Sequence, residues 1–274
     1  MDNYAKDILD HIRYCDNVCK DVKVGKFDSP DLYLNCNVYN QAEGSSIVHL
    51  NKTIVTCGLK VKVYINPNIN ENSILDKGIV VSNIELTPLC SKNIQPGLPG
   101  EESQSLTDQM QFILSHNGPD LDKLVIKKNK AVYVLYFDFI VLNHSGNLLD
   151  SCVLAANVVL KSALIPSVIW NTELDCVESI TDKYISIPLK TMMLAITYGL
   201  RDDKIMLNTN QTTENYLKLD IDFVTFFVDE NGKCMLPVVS GFLNSKKQKL
   251  VHSIIPMAID RMKILKNAIC DICK

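Results

Sequence analysis

Hydrophobic and polar positions change rhythm along this chain, and each change marks an element. LYLNCNVY (32–39) alternates, with Leu32, Leu34, Cys36 and Val38 on one side, which predicts a half-buried strand. QAEGSS (41–46) reads as a turn, and IVHLNKTIVTCGLKVKVYI (47–65) as two β-branched strands joined at Asn51-Lys52. After a polar loop at 66–73, a strand is predicted within DKGIVVSNIELTPLC (76–90), and a stronger one over AVYVLYFDFIVL (131–142). Helical spacing replaces alternation at 101–116, behind the breaker cluster PGLPG (96–100), with Leu106, Met110, Ile113 and Leu114 on one stripe. It returns near 153–164, in a helix expected to end at Pro166. It returns again over 246–274, through Leu250, Ile254, Met257, Ala258, Met262, Leu265 and Ile269, where Pro256 predicts a start or a kink. Residues 222–239 carry a hairpin signal, with Asn231-Gly232 suited to a type I′ turn. Ile8, Leu9 and Ile12 predict a short amphipathic helix within 4–14.

Strands gathered ahead of helices, in an order that occurs twice, predict an α+β protein with two similar halves rather than a doubly wound parallel sheet. The expected organisation is an N-terminal helical arm over 1–26, a first part over 27–166, and a second over 167–274 that ends in a long helix.

Composition narrows the function. With 274 residues, 47% hydrophobic and 22% charged, the chain is long enough for a substantial core and too apolar for disorder. A net charge of −3 rules out a general electrostatic attraction to nucleic acid, so RNA would be met through local patches or partners. No apolar run approaches the roughly 20 residues of a membrane span. The opening MDNYAKDILDHIRY lacks an apolar signal core, so no membrane or secretory route is expected. The ten cysteines therefore read mainly as small hydrophobes. Cys15, Cys19, Cys270 and Cys273 have spacings that zinc could use, but they fall in helix-like segments, and no metal is expected.

Phosphate-loop, dinucleotide, nucleophile-elbow and zinc-protease motifs are missing. The stretch NHSGNLLDS (143–151) has the setting of a phosphate loop: strand, glycine turn, helix start. Asp220 and Asp222 would share a face of a strand and could hold Mg²⁺ or work as acid and base, but they read more simply as solvated residues at a strand entry. Glu101 and Glu102 suit the first turn of a helix and would repel phosphate there. Lysines cluster at 123–130 and 246–249, making Lys127, Lys128, Lys246 and Lys247 candidate RNA contacts, although short runs of this kind are usually solvated faces.

AEGSSIVHLNKTIVTCGLKV (42–61), DKGIVVSNIELTPLC (76–90), PGEESQ (99–104), YFDFIVLNHSGNLLDSCVLAA (136–156), VDENGK (228–233) and VSGF (239–242) occur in the order found in the RNase PH family. The resemblance extends over about 27–270 and is strongest to the inactive members that form the ring of the eukaryotic RNA exosome. It implies a ribosomal-protein-S5-like α+β fold in two halves. It also implies work as a scaffold in a hetero-hexameric ring of RNase PH-like exosome subunits, with S1- and KH-domain cap subunits, attached hydrolytic nuclease subunits, single-stranded RNA in the channel and no cofactor. Nucleus, nucleolus and cytoplasm are the expected locations.

Active members use inorganic phosphate as the nucleophile on RNA and need arginine forks and a carboxylate to stabilise charge. Aligned on Gly146, the family's Gly-Gly-Thr-Arg-Thr-type loop reads here Gly-Asn-Leu-Leu-Asp. Leu148 replaces the phosphate-binding threonine, Leu149 replaces the arginine, and Asp150 adds negative charge. Glu101 stands where a Gly-Arg segment opens the preceding helix, and Thr107 replaces an arginine further along it. Asn208 lies where a catalytic aspartate is expected. The Arg-Pro-Asp-Gly-Arg opening of many members corresponds to KDVKV (20–24), which keeps only an aspartate. The resemblance thus implies a degenerate site with no catalysis of its own, against the alternatives of an active phosphorolytic exoribonuclease or an unrelated binding module on the same fold.

Overall fold

The computed structural model describes residues 32–66, 75–91, 94–201, 204–207, 222–235, 238–240 and 245–273. The helix expected at 4–14 and most of the loop at 66–73 lie outside them.

The first sheet begins with β1 (Leu32–Cys36), β2 (Gly44–Leu50) and β3 (Thr53–Ile65), each antiparallel to the last. β1 stops at Cys36 because Asn37 takes a left-handed conformation (φ 55), which leaves Val38 beyond the strand. Asn51 (φ 54) makes the turn between β2 and β3, as the Asn51-Lys52 signal predicts. Next in space to β3 is β6 (Ala131–Asn143), then β4 (Ile79–Leu86), giving the order β1-β2-β3-β6-β4. β4 runs parallel to β6, so a crossover must join them. α1 (Glu101–His116), a 3-10 turn (Leu121–Leu124) and the short β5 (Val125–Lys127) supply it.

α2 (Leu148–Ser162) is the central element. It starts five residues before the expected position 153, because Gly146 (φ 103) and Asn147 (φ 52) complete the turn at once. Every residue from Leu148 to Leu160 is buried, as fits a largely apolar helix covered on both sides. One side meets the first sheet, where Ser46 Oγ donates to the Ala155 carbonyl (3.0 Å). The other meets the second sheet, where Asn157 Nδ2 donates to the Met193 carbonyl (2.8 Å). Beyond its end, β2 comes so near that a Cβ on Gly44 would lie 2.6 Å from that of Ala163.

Pro166 does not end this helix. It lies within β7 (Leu164–Asn171), paired with β8 (Cys176–Ser186), at a register shift where a missing N–H is tolerated. The second sheet has the order β10-β9-β11-β12, built from β9 (Met193–Arg201), β10 (Lys204–Leu207), β11 (Asp222–Asp229) and β12 (Val238–Ser240). The turn after β11 is not type I′, since Asn231 keeps a negative φ and only Gly232 (φ 77) turns left-handed. Gly232 N donates to the Asp229 carbonyl (3.0 Å), and Asp229 N donates to that of Lys233 (3.0 Å), the pattern of a type I turn with a glycine bulge.

α3 (Ser245–Ile272) runs through Pro256, which neither starts it nor breaks it. Pro256 is on the exposed face, where water can satisfy the carbonyl that its missing N–H leaves over. Val251, Ile254, Ala258, Met262, Leu265 and Ile269 form the buried stripe, while Leu250 and Met257 are half-buried. One continuous core joins both sheets, α2 and this stripe. None of the helices among the described residues is long and apolar enough to cross a membrane.

Candidate functional site

The loop from Asn143 to Asn147 is built as a rigid turn between β6 and α2. Thr53, at the start of β3, donates its hydroxyl to the Gly146 carbonyl (2.6 Å) and accepts from Ser145 N (3.1 Å). Asn143 Nδ2 reaches the Lys52 carbonyl (2.5 Å), and His144 N donates to the Cys90 carbonyl (3.0 Å). Gly146 N donates to His144 Nδ1 (3.3 Å), which leaves the proton of a neutral ring on Nε2. That nitrogen lies 3.4 Å from Glu102 Oε1 in the first turn of α1. The loop position and the α1 terminus are therefore brought together, as a phosphate site of this layout requires.

The side chains placed there are wrong for phosphate. Leu148 and Leu149 are both buried in the core and cannot donate a hydrogen bond. Asp150 corrects the sequence reading, because its charge does not face the turn. Only 8% exposed, it points inward to β9. Its Oδ2 accepts from Thr197 N (2.8 Å) and its Oδ1 from the Thr197 hydroxyl (2.7 Å), which also contacts Thr225 Oγ1 on β11 (2.9 Å). Arg261 of α3 shares the same small internal cavity with Asp150. Burial pulls the Arg261 guanidinium down from its ordinary value, and Asp150 opposes that shift. Burial likewise pushes the neighbouring Tyr198 phenol well up, with Arg261 opposing. Asp150 thus pins the first turn of α2 to the second sheet and faces a half-buried cation.

The start of α1 borders an open groove of about 770 Å³ between β4 and residues 94–103. Its size would admit a nucleotide, but its charge opposes one. Glu85, Glu101 and Glu102 line it, and among the described lining residues there is no cation. Glu101 is exposed in the first turn, as expected. Thr107 has a task of its own on the exposed edge of β4. Ile84 N donates to its hydroxyl (3.1 Å), and Ser82 N donates to Gln111 Oε1 (2.8 Å). Gln111 Nε2 donates to the Val80 carbonyl (2.6 Å), and Ser103 to that of Ile84. Ser103, Thr107 and Gln111, spaced four apart on α1, thereby seal an edge strand.

Lys127 and Lys128 do not join this site. They are exposed at the far end of β6, roughly 40 Å from the loop at about 3.3 Å per residue. Lys246 and Lys247 lie in the first turn of α3. Asp222 opens β11 as a buried residue, which corrects its reading as a solvated one. Asn208, Asp220, Cys15 and Cys19 lie outside the described residues. Among those residues no cluster of His, Cys, Asp and Glu has the arrangement of a metal site. Residue-level reading missed His144, Thr197, Thr225 and Arg261. One plain signal was available, since positions 14–200 contain no arginine at all. A guanidinium fork from that part of the chain is therefore excluded.

Comparison with known proteins adds independent findings. The RNase PH family model, described as "3′ exoribonuclease family, domain 1", matches residues 30–166. The chain is 35% identical over 207 residues to "Exosome complex component Rrp42" of Thermococcus onnurineus, covering 75% of this chain and 73% of that protein. It is 28% identical over 202 residues to "Exosome complex component rrp43" of Schizosaccharomyces pombe, covering 73% and 72%. Its fold superposes on a chain of the Archaeoglobus fulgidus exosome with RNA bound to the active site at a TM-score of 0.77, with 23% identity, over 95% of this chain and 97% of that one. It superposes on a chain of an archaeal exosome core at 0.75, with 20% identity, over 98% and 99%.

Proposed function

Because the chain belongs to the RNase PH family of 3′ exoribonucleases, we propose that it is a non-catalytic ring subunit of an RNA exosome. The observation that carries this reading is the burial of Leu148 and Leu149 at the phosphate-loop position, with Asp150 turned inward. Phosphorolysis brings a dianionic nucleophile against an RNA phosphodiester, so donors must stand ready for the charge. Removing one such donor costs about 10²–10³ in rate, and here two positions lack one. The acidic groove at α1 works in the same direction.

The retained turn serves the fold: it starts α2, and α2 holds the two sheets together. The work assigned to the chain is to join RNase PH-like neighbours, support S1- and KH-domain caps and form part of the wall around single-stranded RNA. Hydrolytic subunits carry out degradation in RNA processing and turnover. The names of its relatives as exosome components support this assignment. Nuclear, nucleolar and cytoplasmic residence follows from that role.

The test is an assay of the purified chain with 3′-labelled RNA and inorganic phosphate. No phosphate-dependent release of nucleoside diphosphates is expected. Release at a rate set by phosphate would establish the alternative, an active phosphorolytic exoribonuclease.

A further inference from the structure

Three thiols and an amine from distant parts of the chain meet where β1, α2 and α3 end. Lys161 Nζ lies 2.8 Å from Cys270 Sγ, a length normal for N–H···O and tight for the larger sulfur atom. Cys36 Sγ reaches the carbonyl oxygen of Ile272 at 3.7 Å, 236 residues away in sequence. Cys273, the next residue, contacts the Val158 carbonyl at 3.9 Å, and its thiol lies within electrostatic reach of that of Cys36. All three cysteines are half-buried and none is in a disulfide. No metal-ligand cluster exists among the described residues, so the chemistry available here is that of thiols.

We infer that Cys36 and Cys273 are an oxidation-responsive pair that hydroperoxide converts into a disulfide joining β1 to the end of α3. Cys36 lies on the open side of the cluster and meets the oxidant first. Its sulfur attacks one peroxide oxygen, the O–O bond breaks, and the other oxygen leaves as water after taking up the thiol proton. Cys36 is then a sulfenic acid. The Cys273 sulfur attacks it, the S–S bond forms, and the S–O bond breaks with loss of a second water. Two thiols are oxidised and one peroxide is reduced, with two waters formed. Burial pushes the Cys273 thiol up to about 11, with Cys36 adding to the shift and Lys161 opposing it, so its attack is the slow step and quickens as pH rises. Reduction by a dithiol reverses the bond. In the oxidised chain the first strand and the last helix are covalently tied, so a loop of most of the sequence is closed in the unfolded state.

The experiment treats the full-length protein with hydrogen peroxide, blocks remaining thiols and reads intact mass and proteolytic peptides. The expected result is loss of two hydrogens, a cross-linked peptide pair containing Cys36 and Cys273, a higher unfolding temperature, and reversal of all three by dithiothreitol. Cys36→Ser and Cys273→Ser should abolish the loss, and Cys176→Ser should leave it unchanged. The peptide map of the wild-type chain decides even if a variant fails to fold. Oxygen additions without loss of two hydrogens would overturn the inference. So would a map joining Cys270 to Cys273.

Discussion

Asp150 shows how far a residue can be read without its surroundings. In sequence it is an acid in a glycine turn, which suggests an exposed charge. In the structure it accepts two hydrogen bonds from Thr197 and faces half-buried Arg261. Nothing in the sequence says which way the first turn of a helix faces, because that depends on a second sheet formed by residues some 45 positions later. Asp150→Ala should destabilise the fold by about 1–3 kcal/mol, since it leaves the Thr197 N–H without its acceptor, whereas an exposed acid would cost about 0.5 kcal/mol or less. Urea unfolding of the two proteins gives the answer. The thiols set a pH dependence at the same scale. Burial pushes Cys152 up from 9.0 to about 12 and raises Cys57 as well. Between pH 9 and 12 the native state keeps the Cys152 proton while the unfolded chain releases it, so stability falls as pH rises. The part due to Cys152 is fully present below pH 9 and is lost at about 1.4 kcal/mol per pH unit up to 12. Cys152→Ala should flatten that fall in thermal scans from pH 8 to 10.5, and an unchanged slope would refute the assignment.

At the scale of elements, periodicity served well wherever one face was buried. The range of α1 and the Asn51-Lys52 turn follow directly from the pattern. The start of α2 did not, because Leu148 and Leu149 look like loop residues until Asn147 is seen to be left-handed. Pro166 misled for a related reason: proline ends helices, yet it also sits at strand bulges, and only the partner strand decides. Thr107 gave no sign of its task, which exists because β4 is parallel and lies at an edge. Thr107→Val leaves the Ile84 N–H without its acceptor and should cost about 1–3 kcal/mol. Thr107→Ser, which keeps the hydroxyl, should cost less. A larger loss for Thr107→Ser than for Thr107→Val in denaturant unfolding would mean that the methyl group, not the hydrogen bond, matters.

At the scale of the whole molecule, the two halves share α2, and the core runs through both. The α+β class and the repeated order were legible in the sequence, while the packing of both sheets on one helix was not, since it depends on pairings between distant strands. The expectation of a degenerate site rests on residue types and on the long stretch without arginine. Burial of Leu148, Leu149 and Asp150 commits these positions to stability, and on the proposed reading the protein's contribution comes from its surfaces. Leu89 and Leu98 are 86% and 95% exposed beside the acidic groove, as fits a chain that meets partners. The decisive measurement is native mass spectrometry of the complex isolated through this chain. The predicted result is one copy of it in a hetero-hexamer with five other RNase PH-like chains, together with S1- and KH-domain proteins. A solitary monomer, or a ring made only of this chain, would contradict the account.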